Sequence, residues 1–179
     1  MKNVFWKILI RLKWFLHPAD RKRGMGDSVP DFLLRDLSGT AYILSSYYRK
    51  KSVILWMTNL CETCQERIGF LSRVCNEFGP RVEVLAISIL GNDRATPESI
   101  LRKYGVKFPL LLDPGDWVGK VLGFEHPPGA CPMHNLLILD ISGRIILKHH
   151  LSAITDQKLL DVLGSSRTSP IPSPLAGEG

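Results

Sequence analysis

Two cysteines three positions apart, in the run Cys61-Glu62-Thr63-Cys64, are the residues of this 179-residue sequence whose type and spacing most directly specify chemistry. A chain of this length does not need disulfide staples to fold, so a close cysteine pair points to redox or metal chemistry rather than to a structural cross-link. If Cys61 opens a helix, its sulfur faces unpaired backbone N–H groups and the positive end of the helix dipole, and both favour thiolate over thiol. Cys64, one turn further on, is then placed to attack a mixed disulfide at Cys61 and release the partner. Glu62 opposes this, because a neighbouring carboxylate favours the neutral thiol. Cys75 lies three and four positions from Phe78 and Leu71 on an apolar stripe and reads as a buried, inert thiol. The run Cys131-Pro132-Met133-His134 offers a further sulfur and an imidazole, whereas His149-His150 ends a strand and reads as a solvated pair.

The elements that must position these groups follow from periodicity. Residues 31–34 and 41–44 read as short strands around a Ser38-Gly39 turn, and the apolar run 52–57 as a buried central strand. A helix begins at about Cys61, carries Ile68, Leu71, Val74, Cys75 and Phe78 on one face, and stops at Gly79-Pro80. Residues 82–88 form a second buried strand. A helix over 97–104 is expected to be capped by Thr96, with Pro97 in its first turn. A brief extended run at 108–112, a short helix at 116–122, two strands at 135–140 and 144–149 joined by Ile141-Ser142-Gly143, and a helix at 155–163 complete the order. The alternation implies an α/β fold with a central mixed sheet and helices on both faces. The dithiol falls where a central strand ends and a helix begins, the usual place for a site in such sheets.

The ends read differently. Residues 1–17 carry an apolar face and Lys7, Arg11 and Lys13, which suits a basic amphipathic helix lying on an anionic membrane surface through residues 3–17 or packing on a protein surface. The charges interrupt any signal-peptide core, and the stretch is too short to span a bilayer. Residues 18–28 read as a linker, 29–164 as the folded domain, and 165–179, rich in Ser, Pro and Gly, as a disordered tail. Lys and Arg outnumber Asp and Glu by 23 to 17. Much of that excess precedes residue 26, so no nucleic-acid-binding surface is inferred. No phosphate-binding glycine loop is present and no cofactor is implied. The absence of a cleavable signal places the chain in the cytoplasm, attached to the inner face of the membrane if the leading helix binds lipid.

Three stretches resemble the redoxin group of the thioredoxin superfamily: Gly26-Asp27-Ser28-Val29-Pro30-Asp31-Phe32, the run from Trp56 through Cys64, and Leu136-Leu137-Ile138-Leu139-Asp140-Ile141-Ser142-Gly143-Arg144-Ile145. That group holds alkyl hydroperoxide reductase and thiol-specific antioxidant peroxiredoxins and membrane-tethered thiol-disulfide oxidoreductases. The resemblance implies a three-layer thioredoxin-like fold and a thiol oxidoreductase serving redox homeostasis. Its substrate would be a protein disulfide or a peroxide, and a reducing protein such as a thioredoxin would reset it. It also implies that the loop holding Cys131 and His134 closes over the dithiol. Cys131 is then a second resolving sulfur, or an ordinary loop residue, or one of four ligands, with Cys61, Cys64 and His134, in a Cu(I) site like that of Sco-type copper-delivery proteins. Thr58 matches the threonine three positions before the peroxidatic cysteine and is a candidate donor to a peroxide or to the Cys61 thiolate. Ile54 stands where peroxiredoxins carry proline, no arginine flanks His134, and His134 fills the slot of the thioredoxin cis-proline. Disulfide exchange is therefore favoured over peroxide reduction.

Overall fold

A computed structural model describes residues 23–124 and 130–165. The expected leading helix, residues 18–22 of the expected linker, and all but the first residue of the expected tail lie outside them. Residues 52–58 are uninterruptedly apolar apart from their ends, and they form an interior strand of a seven-stranded sheet. The strands are β1 (Leu33–Asp36), β2 (Ala41–Ile43), β3 (Ser52–Thr58), β4 (Val82–Ser88), β5 (Leu110–Leu112), β6 (Leu136–Leu139) and β7 (Ile145–His149). Their spatial order is β2-β1-β5-β4-β3-β6-β7. β3, β4 and β5 run parallel, while β6 pairs antiparallel with β3 and β7 with β6. All seven residues of β3 are buried, as expected for a strand covered on both faces.

The period-two alternation of β3 feeds two cores. Ile54 and Trp56 face a layer containing Ile68, Leu71 and Val74 of α2 (Ile68–Phe78), Ile100 of α3 (Ala95–Tyr104), and Leu159 and Leu163 of α5 (Asp156–Ser165). Val53, Leu55 and Met57 face Val118 and Leu122 of α4 (Trp117–Leu122), together with Phe32 and Leu44. The expected three layers, with helices on both sides of a mixed sheet, are therefore present.

Three local expectations change. The helix beginning at Cys61 is two pieces, α1 (Glu62–Gln65) and α2, parted at Glu66 and Arg67. Arg67 is anchored there: its guanidinium bonds Asp156 at the start of α5 and the Ile154 carbonyl (3.2 Å), and it stacks over Phe70. Second, α3 starts at Ala95, and its cap is Asp93 rather than Thr96. Asp93 Oδ1 accepts the N–H groups of Ala95 (3.0 Å) and Thr96 (3.2 Å), which satisfies two orphan donors of the first turn. Third, the stretch read as a linker is engaged from residue 24 onward. Gly26 N–H bonds the Ile145 carbonyl (2.8 Å) and Ile145 N–H bonds the Asp27 carbonyl (3.0 Å), so this segment covers the outer edge of β7.

The β6–β7 turn is built as expected. Asp140 Oδ1 accepts the N–H groups of Ser142 and Arg144, and Gly143 adopts φ +79°. A Cβ on Gly143 would lie 2.5 Å from the Tyr48 ring, so close approach as well as backbone angle demands glycine. The capping assignment predicts that Asp93→Ala lowers the unfolding free energy by about 1 kcal/mol in urea titration, with Thr96→Ala costing less. The reverse order would restore Thr96 as the cap.

Candidate active site: three thiols behind the β3–α1 turn

The turn that delivers the dithiol is held by hydrogen bonds at the end of β3. Thr58 is fully buried, and its Oγ1 accepts the Leu60 N–H at 2.9 Å. Leu60 occupies the left-handed region at φ 55°, a conformation that costs a non-glycine residue free energy and persists only where the surroundings enforce it. They do so here: the Leu60 side chain is buried, and its carbonyl accepts Gln65 Nε2–H at 2.7 Å. Tyr104 hydroxyl in turn donates to Gln65 Oε1. Thr58 thus positions the turn by accepting the Leu60 N–H, a bond that does not use its own O–H donor.

Cys61 emerges at the N-cap of α1 and is exposed, while Cys64 is fully buried one turn on. The loop before β6 brings Cys131, which is 8% exposed, onto the pair. The sulfur atoms of Cys61, Cys64 and Cys131 all lie within 4.8 Å of one another, and those of Cys64 and Cys131 are 3.7 Å apart. Cys75 is half-buried on α2 and stays outside this cluster.

Two asparagines organise the sulfurs. Asn59 Oδ1 accepts the Cys131 S–H at 2.8 Å and the Cys61 N–H at 3.2 Å, and its backbone N–H donates to Cys131 Sγ at 3.3 Å. Asn135 donates Nδ2–H toward Cys64 Sγ at 3.8 Å, while its Oδ1 accepts the Leu151 N–H at 2.9 Å. It thereby ties Cys64 to the 3-10 turn Leu151–Ala153. Neither asparagine stands out in the sequence. The available signals are the turn tendency of Asn59 before a helix start and a polar residue, Asn135, opening an apolar strand.

His150 caps that 3-10 turn and was missed as a neighbour of the dithiol, having been read as solvated. Its Nδ1 accepts the Ser152 N–H, which leaves Nε2 to carry the ring proton. Burial pushes its pKa down, and the Cys61 charge pushes it up. His134 goes elsewhere. Burial first, then Lys148, His149 and His150, push it down to about 4, and its Nδ1 has no partner among the described residues. It is not among the ligand atoms clustered with the three sulfurs. The four-ligand arrangement of Cys61, Cys64, Cys131 and His134 is therefore not assembled. No cis peptide occurs among the described residues.

The acidity of Cys61 has a different main cause from the one expected. α1 is a single turn, so it aligns few peptide dipoles. The thiol of Cys131 first, then that of Cys64, the Cys64 N–H and His150 hold Cys61 well below the ordinary 9.0, against partial burial. Glu62 is exposed and is not among these influences. Contact with Cys131 and Cys61, reinforced by burial, drives the Cys64 thiol far up, and Cys131 is pushed to about 11, first by its bond toward Cys61. The cluster thus holds one thiolate, at the solvent-facing sulfur, and two buried thiols.

The profile of the AhpC/TSA family matches residues 25–148. The chain is 24% identical over 122 residues to thiol-disulfide oxidoreductase ResA of Geobacillus thermodenitrificans (strain NG80-2), an alignment covering 68% of this chain and 66% of that protein. It is 27% identical over 95 residues to ResA of Geobacillus kaustophilus (strain HTA426), covering 52% and 54%. The chain therefore spans between about half and two thirds of the length of these curated relatives. Among solved structures, peroxidoxin BcpB from Mycobacterium tuberculosis superposes with a TM-score of 0.67 at 20% identity, over 83% of this chain and 99% of that one. A secreted M. tuberculosis disulfide oxidoreductase homologous to E. coli DsbE gives 0.61 at 20% identity, over 75% and 95%. At these identities the superpositions establish the thioredoxin-like fold.

Folding lowers the Cys61 pKa, so its thiolate contributes stability that is complete above the unfolded value of 9.0 and lost as pH falls through the folded value. In the reduced protein, the stability difference between wild type and Cys61→Ser, measured by denaturant titration, is predicted to be largest above pH 9.0 and to shrink on acidification. A pH-independent difference would contradict the assignment.

Proposed function

This chain belongs to the AhpC/TSA family, and on that basis we propose that it is a thiol-disulfide oxidoreductase in which Cys61 attacks and Cys64 resolves. The supporting observation is an exposed sulfur held as thiolate with a buried thiol one turn away. The Cys61 thiolate attacks one sulfur of a protein disulfide, forming a mixed disulfide and expelling the partner's second sulfur as a thiolate. Cys64 then attacks Cys61 Sγ as its proton leaves, with Asn135 Nδ2–H stabilising the charge that develops on it. The Cys61–Cys64 disulfide forms, and the partner departs as a dithiol. A reducing protein of the thioredoxin class restores the pair by the reverse exchange. The exposure of Cys61 suits substrates that present a disulfide at a protein surface.

Peroxide reduction is the second reading, favoured by the family. It requires a donor array around the attacked oxygen. Among the described residues no arginine bonds to any of the three thiols, while Thr58 Oγ1 accepts the Leu60 N–H in a bond that does not use its own O–H donor.

Insulin reduction coupled to a thioredoxin-type reductant tests the primary reading. Cys61→Ser is expected to lower turnover by more than about a hundredfold, and Cys64→Ser to accumulate a mixed disulfide visible by mass. Substantial turnover in Cys61→Ser would overturn the reading, and hydrogen peroxide consumption outpacing insulin reduction would favour the second one. We further propose that residues 3–17 hold the chain on the cytoplasmic face of an anionic membrane. No helix among the described residues is long and apolar enough to cross one. At about 1 kcal/mol per basic residue, replacing Lys7, Arg11 and Lys13 together with Glu should cut binding to phosphatidylserine vesicles by more than tenfold. Unchanged sedimentation with vesicles would exclude this attachment.

A further inference from the structure

We infer that Cys131 is a third redox sulfur, and that the disulfide of the oxidised chain migrates from Cys61–Cys64 to Cys64–Cys131, returning Cys61 to solvent as a free thiolate. The inference rests on the proposed Cys61–Cys64 chemistry and adds a step to it. Three observations carry it. The Cys64 and Cys131 sulfurs touch at 3.7 Å, so bond formation requires an approach of less than about 2 Å. Asn59 binds Cys131 through both a side-chain acceptor and a backbone donor, which fixes the sulfur against the pair. Cys64 is central: it is buried, with one neighbouring sulfur at the surface and one inside.

The step is balanced without any added oxidant. The Cys131 thiol loses its proton to water, helped by the Asn59 N–H at its sulfur. The thiolate attacks Cys64 Sγ, the Cys64–Cys131 bond forms as the Cys61–Cys64 bond breaks, and the electron pair leaves on Cys61 Sγ. One disulfide and one thiol are present before and after, so nothing is oxidised or reduced overall.

Electrostatics gives the step its direction. With the disulfide at Cys61–Cys64, the remaining sulfur is buried Cys131, a poor site for charge. With the disulfide at Cys64–Cys131, the buried sulfurs are neutral and the charge lies on exposed Cys61. Cys61 then loses the neighbouring Cys131 and Cys64 thiols but keeps the Cys64 N–H and His150. The groups facing it are Cys64 on α1, Cys131 from the loop before β6 and His150 from the 3-10 turn, with exposed Glu62 adjacent in sequence. Because migration releases a proton, the ratio of inner to outer disulfide should rise about tenfold per pH unit between the two thiols' ionisation ranges. The oxidised chain would thus keep an open nucleophile while storing a disulfide inside, able to capture a second partner.

The test is disulfide mapping by mass spectrometry of the full chain, oxidised with one equivalent of diamide and trapped with N-ethylmaleimide at several pH values. The expected result is a Cys64–Cys131 linkage with labelled Cys61, increasing with pH. In Cys131→Ala, Cys61 labelling of the oxidised chain should fall about tenfold or more. An oxidised wild type showing only Cys61–Cys64 at every pH overturns the migration and leaves the dithiol reading standing. A wild type forming no disulfide at Cys64 defeats the dithiol reading itself.

Discussion

Three sulfur atoms share one small space at the end of β3, and only the one that reaches water can carry a negative charge. Burial makes charge on Cys64 or Cys131 costly, and the nearness of the same two thiols lowers its cost on Cys61. The reactivity of the site follows from this unequal partition of charge. The surrounding elements serve it. The Thr58–Leu60 bond and the left-handed Leu60 aim Cys61 outward, Asn59 spans the gap to the loop before β6, and Asn135 ties Cys64 to the turn that carries His150.

The fold supplies the rigidity this requires. The carboxyl end of β3 is fixed by β4 on one side and β6 on the other, with an apolar layer on each face. The site stands on a strand buried along its whole length, so the turn leaving that strand can hold a strained residue without fraying. The break between α1 and α2 at Arg67 shortens the helix behind Cys61 and couples the site to α5 through Asp156. A continuous helix would have relied on its dipole; here the neighbouring thiols take that part.

Much of this was legible in the sequence, for identifiable reasons. The apolar run of β3, the stripe on α2 and the Asp140–Gly143 turn are local signals with local physical causes, and each appears where its pattern places it. The Cys61–Cys64 spacing announced the dithiol in the same way. Cys131 came within view only through a resemblance, because nothing in its neighbours encodes where a loop closes. His134 and His150 exchanged parts: the histidine three positions after Cys131 stays out of the sulfur cluster, while the one just past β7, at the cap of the 3-10 turn, acts on the Cys61 charge, since tertiary packing of a three-residue turn decides the matter. Asp93 replaced Thr96 because its side-chain acceptor, two positions before Ala95 and three before Thr96, reaches both N–H groups. Asn59 was silent because its role exists only once two distant sulfurs are already in place.

The most direct measurement is the ultraviolet absorbance of thiolate in the fully reduced chain as a function of pH, taken as a difference against Cys61→Ser. One thiolate per chain should persist well below the ordinary thiol value of 9.0, and it should vanish in Cys61→Ser while Cys64 and Cys131 stay protonated. A chain whose Cys61 titrates at the ordinary value, or whose low-pH thiolate survives the Cys61→Ser change, would contradict the partition of charge from which the activity is derived.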